Sequence, residues 1–156
     1  MSVDDFRVVH DNLTGGNRVT TGRQIPFCVF TDPEFARVGL SEKEDKAQAI
    51  AYRLFKIPMA VLRAHTLSET RGFLMALVEV NSDRILGFAA FAVDGGEVMG
   101  SVQTATMAGL PYTALRDGIW AHPTLVEALI PLFSSEPSVS APGHTQPGYR
   151  VEHELV

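Results

Sequence analysis

The stretch FLMALVEVNSDRILGFAAFAV, residues 73–93, decides the fold. Two apolar runs, 73–80 and 85–93, are split by the turn-forming cluster Asn81-Ser82-Asp83-Arg84. Runs of this length on either side of such a cluster specify a β-hairpin. Leu74, Ala76, Val78 and Val80 fill one face of the first strand, and Phe73, Met75 and Leu77 fill part of the other. A sheet that is apolar on both faces has to be covered on both. Helices of the same chain can supply one cover, and a partner subunit the other.

Working outward towards the N-terminus, residues 52–57 form a strand that Pro58 ends or edges, and IPFCVFT, residues 25–31, forms another with Pro26 near its start. Asp32-Pro33 makes a turn. Ser41-Glu42-Lys43-Glu44 is a capping box, which predicts a helix to about residue 50. Towards the C-terminus, Asp94-Gly95-Gly96-Glu97 opens a helix with Asp94 as its cap, running to about residue 108, where Gly109 and Pro111 stop it. Residues 111–117 form a short helix and 120–123 an extended segment. Thr124-Leu125-Val126-Glu127 is a further capping box, opening a last helix to about residue 132. Strands come early and helices gather late, which predicts an α+β fold with an antiparallel β-sheet and helices packed on it.

The 156 residues divide into three regions. Residues 1–23 are polar, 24–133 carry nearly all of the periodic apolar signal, and 134–156 open as SSEPSVSAPGH and are expected to form a flexible tail. Apolar residues make up 46% and charged residues 20%, a globular composition. A net charge of −5 gives no basic field for nucleic acid or an anionic membrane. The longest uncharged apolar run, 85–93, is far shorter than the roughly 20 residues a bilayer span needs. The opening MSVDDFRVVHD has no signal-peptide core, so a cytoplasmic location is expected. Cys28 stands alone, which excludes an intrachain disulfide, a redox pair and a thiolate zinc site. It is expected to be a small core residue within its strand, and Met75 and Met99 to be core filler. His10, His65, His144 and His153 have no metal-ligand spacing and are expected at the surface. Gly95-Gly96 lacks the G-x-G-x-x-G pattern of a phosphate cradle.

His122-Pro123-Thr124 with Glu127 has two readings. From spacing alone, Glu127 is the third residue of a capping box and His122 is a surface or cap histidine. The other reading is chemical: an imidazole titrates near neutral pH, and a carboxylate on its far nitrogen fixes the tautomer and steadies the imidazolium.

Four blocks carry a resemblance. They are PFCVFTDPEFARVGLSE (26–42), Gly72-Phe73, DRILG (83–87) and AHPTLVE (121–127). Together they resemble the C-terminal dimerisation domain of the FAD-dependent pyridine nucleotide-disulfide oxidoreductases, the family of glutathione reductase, dihydrolipoamide dehydrogenase and mercuric reductase. The wording is most similar to the mercuric-reductase-like branch. The resemblance spans roughly residues 5–133, with 1–23 similar to the segment preceding the domain. It implies the dimerisation-domain fold of FAD/NAD-linked reductases and a homodimer. It also implies that His122 and Glu127 are the catalytic pair: His122 is the general acid/base for a thiol of the other subunit, and Glu127 holds its imidazole. A cis bond before Pro123 is implied as well. No nucleotide-binding fingerprint and no cysteine pair occurs in the chain. The expectation is therefore no cofactor in this chain alone, with FAD and NAD(P)H bound by a full-length enzyme, and no reductase activity in isolation. The alternative is an independent homodimeric assembly module that pairs with a separate flavoprotein, so that FAD- and NAD(P)-binding domains are partners in cis or in trans. A third possibility is an unrelated hydrolase or isomerase, which needs a nucleophile or electrophile beside His122.

Overall fold

A computed structural model describes residues 2–61 and 69–140 of the chain. Its centre is the hairpin of β4 (Phe73–Glu79) and β5 (Ile85–Ala92). The neighbouring strands are β1 (Phe27–Val29), β2 (Glu34–Gly39), β3 (Tyr52–Pro58) and β6 (Ser138–Ser140). All pairings are antiparallel, in the order β1-β2-β5-β4-β3-β6. The fold is α+β with an antiparallel sheet, as the hairpin requires.

The hairpin contains a register shift that builds both faces. Leu77 pairs with Gly87 but Val78 pairs with Ile85, so Leu86 is the extra residue of a bulge. The shift lets Ile85 and Phe88, three positions apart, both enter the main core. Leu86 is thrown to the opposite face, where it packs with Tyr52 and Leu77. Strict alternation along 85–93 does not foresee this.

The main core lies between Ala36, Val38, Phe55, Leu74, Ala76, Val78 and Phe88 of the sheet and the helices α3 (Gly95–Met107), α4 (Tyr112–Arg116) and α5 (Leu129–Ser134). The rings of Phe55, Tyr112 and Phe133 meet pairwise at 5.2–5.7 Å and join β3, α4 and α5. Met99 is buried here. Cys28 also packs against this core, half-buried, and burial and the Glu34 carboxylate push its thiol pKa up.

Four sequence expectations need correction. Strand β2 lay between the expected turn and the expected helix; its residues EFARVG have weak strand propensity and bury only Ala36 and Val38. Residues 2–13 form a helix, α1 (Ser2–Leu13), inside the segment read only as polar. Asp94 stands at the cap position of α3 with a φ of 49° and makes no side-chain cap bond. The helix start is served instead by the Glu34 carboxylate of β2, which accepts from the Gly96 N–H at 3.1 Å. Finally, Ser138–Ser140 of the expected tail adds strand β6 to β3. Residues 141–156, with His144 and His153, and residue His65 lie outside the described residues. His10 is exposed on α1.

The capping box at Ser41 is present in full. The Glu44 carboxylate accepts from the Ser41 N–H at 2.7 Å, and the Glu44 N–H donates to the Ser41 hydroxyl at 3.3 Å. The helix it opens, α2 (Glu42–Ala47), is shorter than expected. It roofs one end of the second sheet face, where the Tyr52 hydroxyl donates to Glu42. Asp45 is fully buried there, and neither carboxylate oxygen has a hydrogen-bond partner. Burial and the nearby charges of Glu44 and Glu42 push its pKa up to about 6. A folded-state pKa above the unfolded one means the native state holds more protons between the two values. The destabilisation is therefore complete above the folded pKa and disappears as pH falls below the unfolded one. Asp45→Asn is expected to raise stability at pH 7.5 by on the order of 2 kcal/mol and to make no difference near pH 3. Urea unfolding at the two pH values checks this, and an equal effect at both would refute it.

Candidate functional site

The candidate site is the loop between α4 and α5. Its N-terminal side is fixed by Trp120, whose indole N–H donates to the Leu115 carbonyl at 2.9 Å, closing over the end of α4. Its C-terminal side is fixed by apolar anchoring. Leu125 and Val126 pack against the main core, and Ala128, Leu129, Leu132 and Phe133 are inside it. Between these anchors the Thr124 hydroxyl donates to the Ala121 carbonyl at 2.8 Å, cinching residues 121–124 into a tight turn. The His122–Pro123 peptide bond is cis, in line with the resemblance, and so is Asp32–Pro33.

The expected capping box of Thr124 and Glu127 is not what starts this helix. A 3₁₀ turn, Val126–Ala128, precedes α5, and its cap residue is Leu125, without a side-chain bond. The Thr124 hydroxyl is turned back to Ala121, and Glu127 reaches His122. His122 Nδ1 and Glu127 Oε2 stand 2.9 Å apart. The imidazole is half exposed and the carboxylate largely covered. The arrangement suits proton exchange. The carboxylate at Nδ1 favours the Nδ1–H tautomer of the ring. The two residues singled out from the sequence are thus brought together.

Two parts of the site escaped the sequence reading. One is the Thr124–Ala121 bond, because the same hydroxyl reads equally well as a helix cap. The other is the extent of the open sheet face. Phe27 and Val29 are exposed there, with Phe35, Arg37, Phe73, Met75 and Phe91 half-buried beside them. Arg37 is held by Glu44 of α2 at 3.0 Å, and the Lys56 ammonium lies 4.7 Å from the Phe73 ring centroid. The second cover is thus only partly supplied, by α2. Cys28 is not on this face: it pairs with Ala36 and points under α3. Among the described residues no group of three or more His, Cys, Asp or Glu side chains could hold a metal ion, and no helix is long and apolar enough to cross a membrane.

Comparison with known proteins gives a consistent result. The family model described as the pyridine nucleotide-disulphide oxidoreductase dimerisation domain matches residues 25–132. A probable pyridine nucleotide-disulfide oxidoreductase of Escherichia coli, RclA, is 39% identical over 137 residues, covering 86% of this chain and 31% of its own. Its solved structure, titled an HOCl-induced flavoprotein disulfide reductase, superposes with a TM-score of 0.79 over 85% of this chain and 31% of that one. A dihydrolipoyl dehydrogenase of Dictyostelium discoideum is 34% identical over 81% of this chain and 26% of its own. A mercuric reductase of Shewanella putrefaciens is 34% identical over 76% of this chain and 21% of its own. The chain thus spans a fifth to a third of the length of these relatives.

The carboxylate's hold on the ring is directly measurable. In imidazole ¹⁵N spectra above pH 8, neutral His122 is expected as the Nδ1–H tautomer, with its signals assigned by their loss in His122→Gln. Glu127→Ala is expected to shift it towards Nε2–H. A tautomer unaffected by that substitution would show that Glu127 does not orient the ring.

Proposed function

The chain belongs to the pyridine nucleotide-disulphide oxidoreductase dimerisation-domain family, and from that premise we propose that it is the dimerisation and acid/base domain of a flavin-dependent NAD(P)H disulfide oxidoreductase. The observation that carries the reading is the His122–Glu127 pair, held at 2.9 Å on an anchored loop with the imidazole half exposed. In a disulfide reductase the reactive species is a thiolate, so a nearby group must take and return the thiol proton around neutral pH. Here that group is His122. It accepts the proton at Nε2, and Glu127 offsets the charge that develops on the ring. The resemblance implies that the thiol sits on the other subunit, so the domain has to dimerise for the pair to reach it.

Two features support a homodimer. The sheet has an apolar face that α2 covers only at one end, and monomeric proteins rarely leave extended apolar patches open. The family model that matches residues 25–132 of this chain is named for dimerisation. The contact surface is placed on the hairpin 73–93 and on 122–133. Within this reading residues 24–133 are the dimerisation domain and 1–23 the segment leading into it.

NAD(P)H supplies the electrons in such an enzyme and flavin carries them, and among the described residues the glycine pair at the start of α3 does not suit a nucleotide diphosphate. The glycine pair that opens α3 already has the Gly96 N–H engaged by the Glu34 carboxylate, so a diphosphate there would meet like charge. Binding of both nucleotides falls to the remaining two-thirds of a full-length enzyme, whether in the same chain or in another. The chain by itself has the proton carrier without the redox centre.

The test is made in a flavoprotein reductase that carries this domain. His122→Ala is expected to lower turnover by about 10²-fold or more with flavin content and dimer mass unchanged. Turnover equal to wild type would remove His122 from the reaction.

A further inference from the structure

The two sides of the His122–Glu127 contact are built unequally. On the Glu127 side the chain is packed, with Ala128, Leu129, Leu132 and Phe133 buried in the main core. On the His122 side it is bare. Residues 118–120 make no backbone-to-backbone hydrogen bond among the described residues, and the Ile119 side chain is fully exposed. Yet this segment leaves the end of α4 and delivers an imidazole to 2.9 Å from a carboxylate. A stretch without backbone bonds keeps much conformational freedom, so its placement needs a cause.

Trp120 supplies it. The last carbonyls of a helix lack partners inside that helix. At the end of α4 the Leu115 carbonyl is taken by the Trp120 indole N–H at 2.9 Å, and the Leu115 side chain is itself buried. The indole packs against the main core. It also lies against the backbone of Gly118. A methyl group at position 118 would stand 3.2 Å from the indole Nε1 and Cε2 and from the Ala114 carbonyl oxygen, closer than ordinary van der Waals contact. The hydrogen bond sets the direction of the ring and the packing sets its depth. Only Ala121 then separates this fixed point from His122, and the Thr124–Ala121 bond closes the turn beyond it.

We infer that Trp120 is a positioning residue for proton transfer: pinned to the Leu115 carbonyl and seated against Gly118, its indole sets where His122 presents its ring to Glu127. This rests on the function proposed above. The single polar hydrogen of the indole is spent on Leu115, so Trp120 acts through His122 and not on the thiol. Proton transfer is sensitive to displacements of well under an ångström, so a loosened peg is felt in the chemical step before it is felt in binding.

The test has one arm in the free chain and one in a flavoprotein reductase that carries this domain. Trp120→Phe removes the N–H and keeps an aromatic body, while Gly118→Ala displaces the indole and keeps its N–H. Val38→Ala, in the main core on β2, controls for lost stability alone. In imidazole ¹⁵N spectra of the free chain, both loop variants are expected to move neutral His122 from the Nδ1–H tautomer towards Nε2–H. Val38→Ala is expected to lower the melting temperature by several degrees with the tautomer unchanged. In the reductase, Trp120→Phe is expected to lower kcat roughly tenfold with KM and flavin content unchanged. A wild-type tautomer in Trp120→Phe, or an unchanged kcat, would overturn the inference and leave Trp120 as packing only. Should Trp120→Phe not fold, Gly118→Ala is read in its place by the same criteria. Wild-type turnover in His122→Ala would instead overturn the functional reading, and the tautomer arm would still decide whether Trp120 orients the ring.

Discussion

The structure follows from one constraint: a sheet whose central hairpin is apolar on both faces cannot leave either face in water. On one side α3, α4 and α5 close over Leu74, Ala76, Val78 and Phe88, and the ring cluster of Phe55, Tyr112 and Phe133 sets where α4 and α5 sit. That placement fixes both ends of the loop 120–128, and through it the meeting of His122 and Glu127. On the other side the Leu86 bulge makes a small second cluster with Tyr52 and Leu77, and α2 covers only that end. The uncovered remainder is the surface assigned to a second copy. Core packing thus places the His122–Glu127 pair, and incomplete packing leaves open the face proposed as the dimer contact.

Much of this was legible in the sequence, for identifiable reasons. The hairpin was clear because its apolar runs and turn cluster satisfy local rules unaided. The Ser41 capping box was clear because both of its partners lie within one turn. What escaped depended on contacts between distant residues. The N-terminal end of α3 is bonded by Glu34, 62 positions away, so no local pattern at Asp94 reports it. Strand β2 is held by pairing with β5 along its whole length, and its own residues give little strand signal. Helix α1 owes its order to arginines that follow it in the chain, and β6 to an edge of β3.

The site shows the same division. Thr124 and Glu127 satisfy the spacing of a helix cap, and local rules favoured that role for both. The tertiary fold overrides it: buried Ala128 and Leu129 set the helix start, the Thr124 hydroxyl turns back to Ala121, and the carboxylate is left to meet the imidazole. The contact between His122 and Glu127 depends on the assembled loop and not on their spacing alone. Asp45 runs against the packing logic, a buried carboxyl without a hydrogen-bond partner in the helix that borders the open face.

The central claim is that His122 serves a thiol across a subunit boundary, and subunit complementation tests it most directly. In a flavoprotein reductase carrying this domain, one variant has His122→Ala and the other has its redox cysteine pair disabled. Each is expected to be nearly inactive alone. If His122 acts across the boundary, every mixed dimer keeps one complete site, and random re-pairing restores about a quarter of wild-type turnover. Re-paired dimers with no recovered turnover would contradict the account, because they would place the working histidine and the thiol in the same subunit.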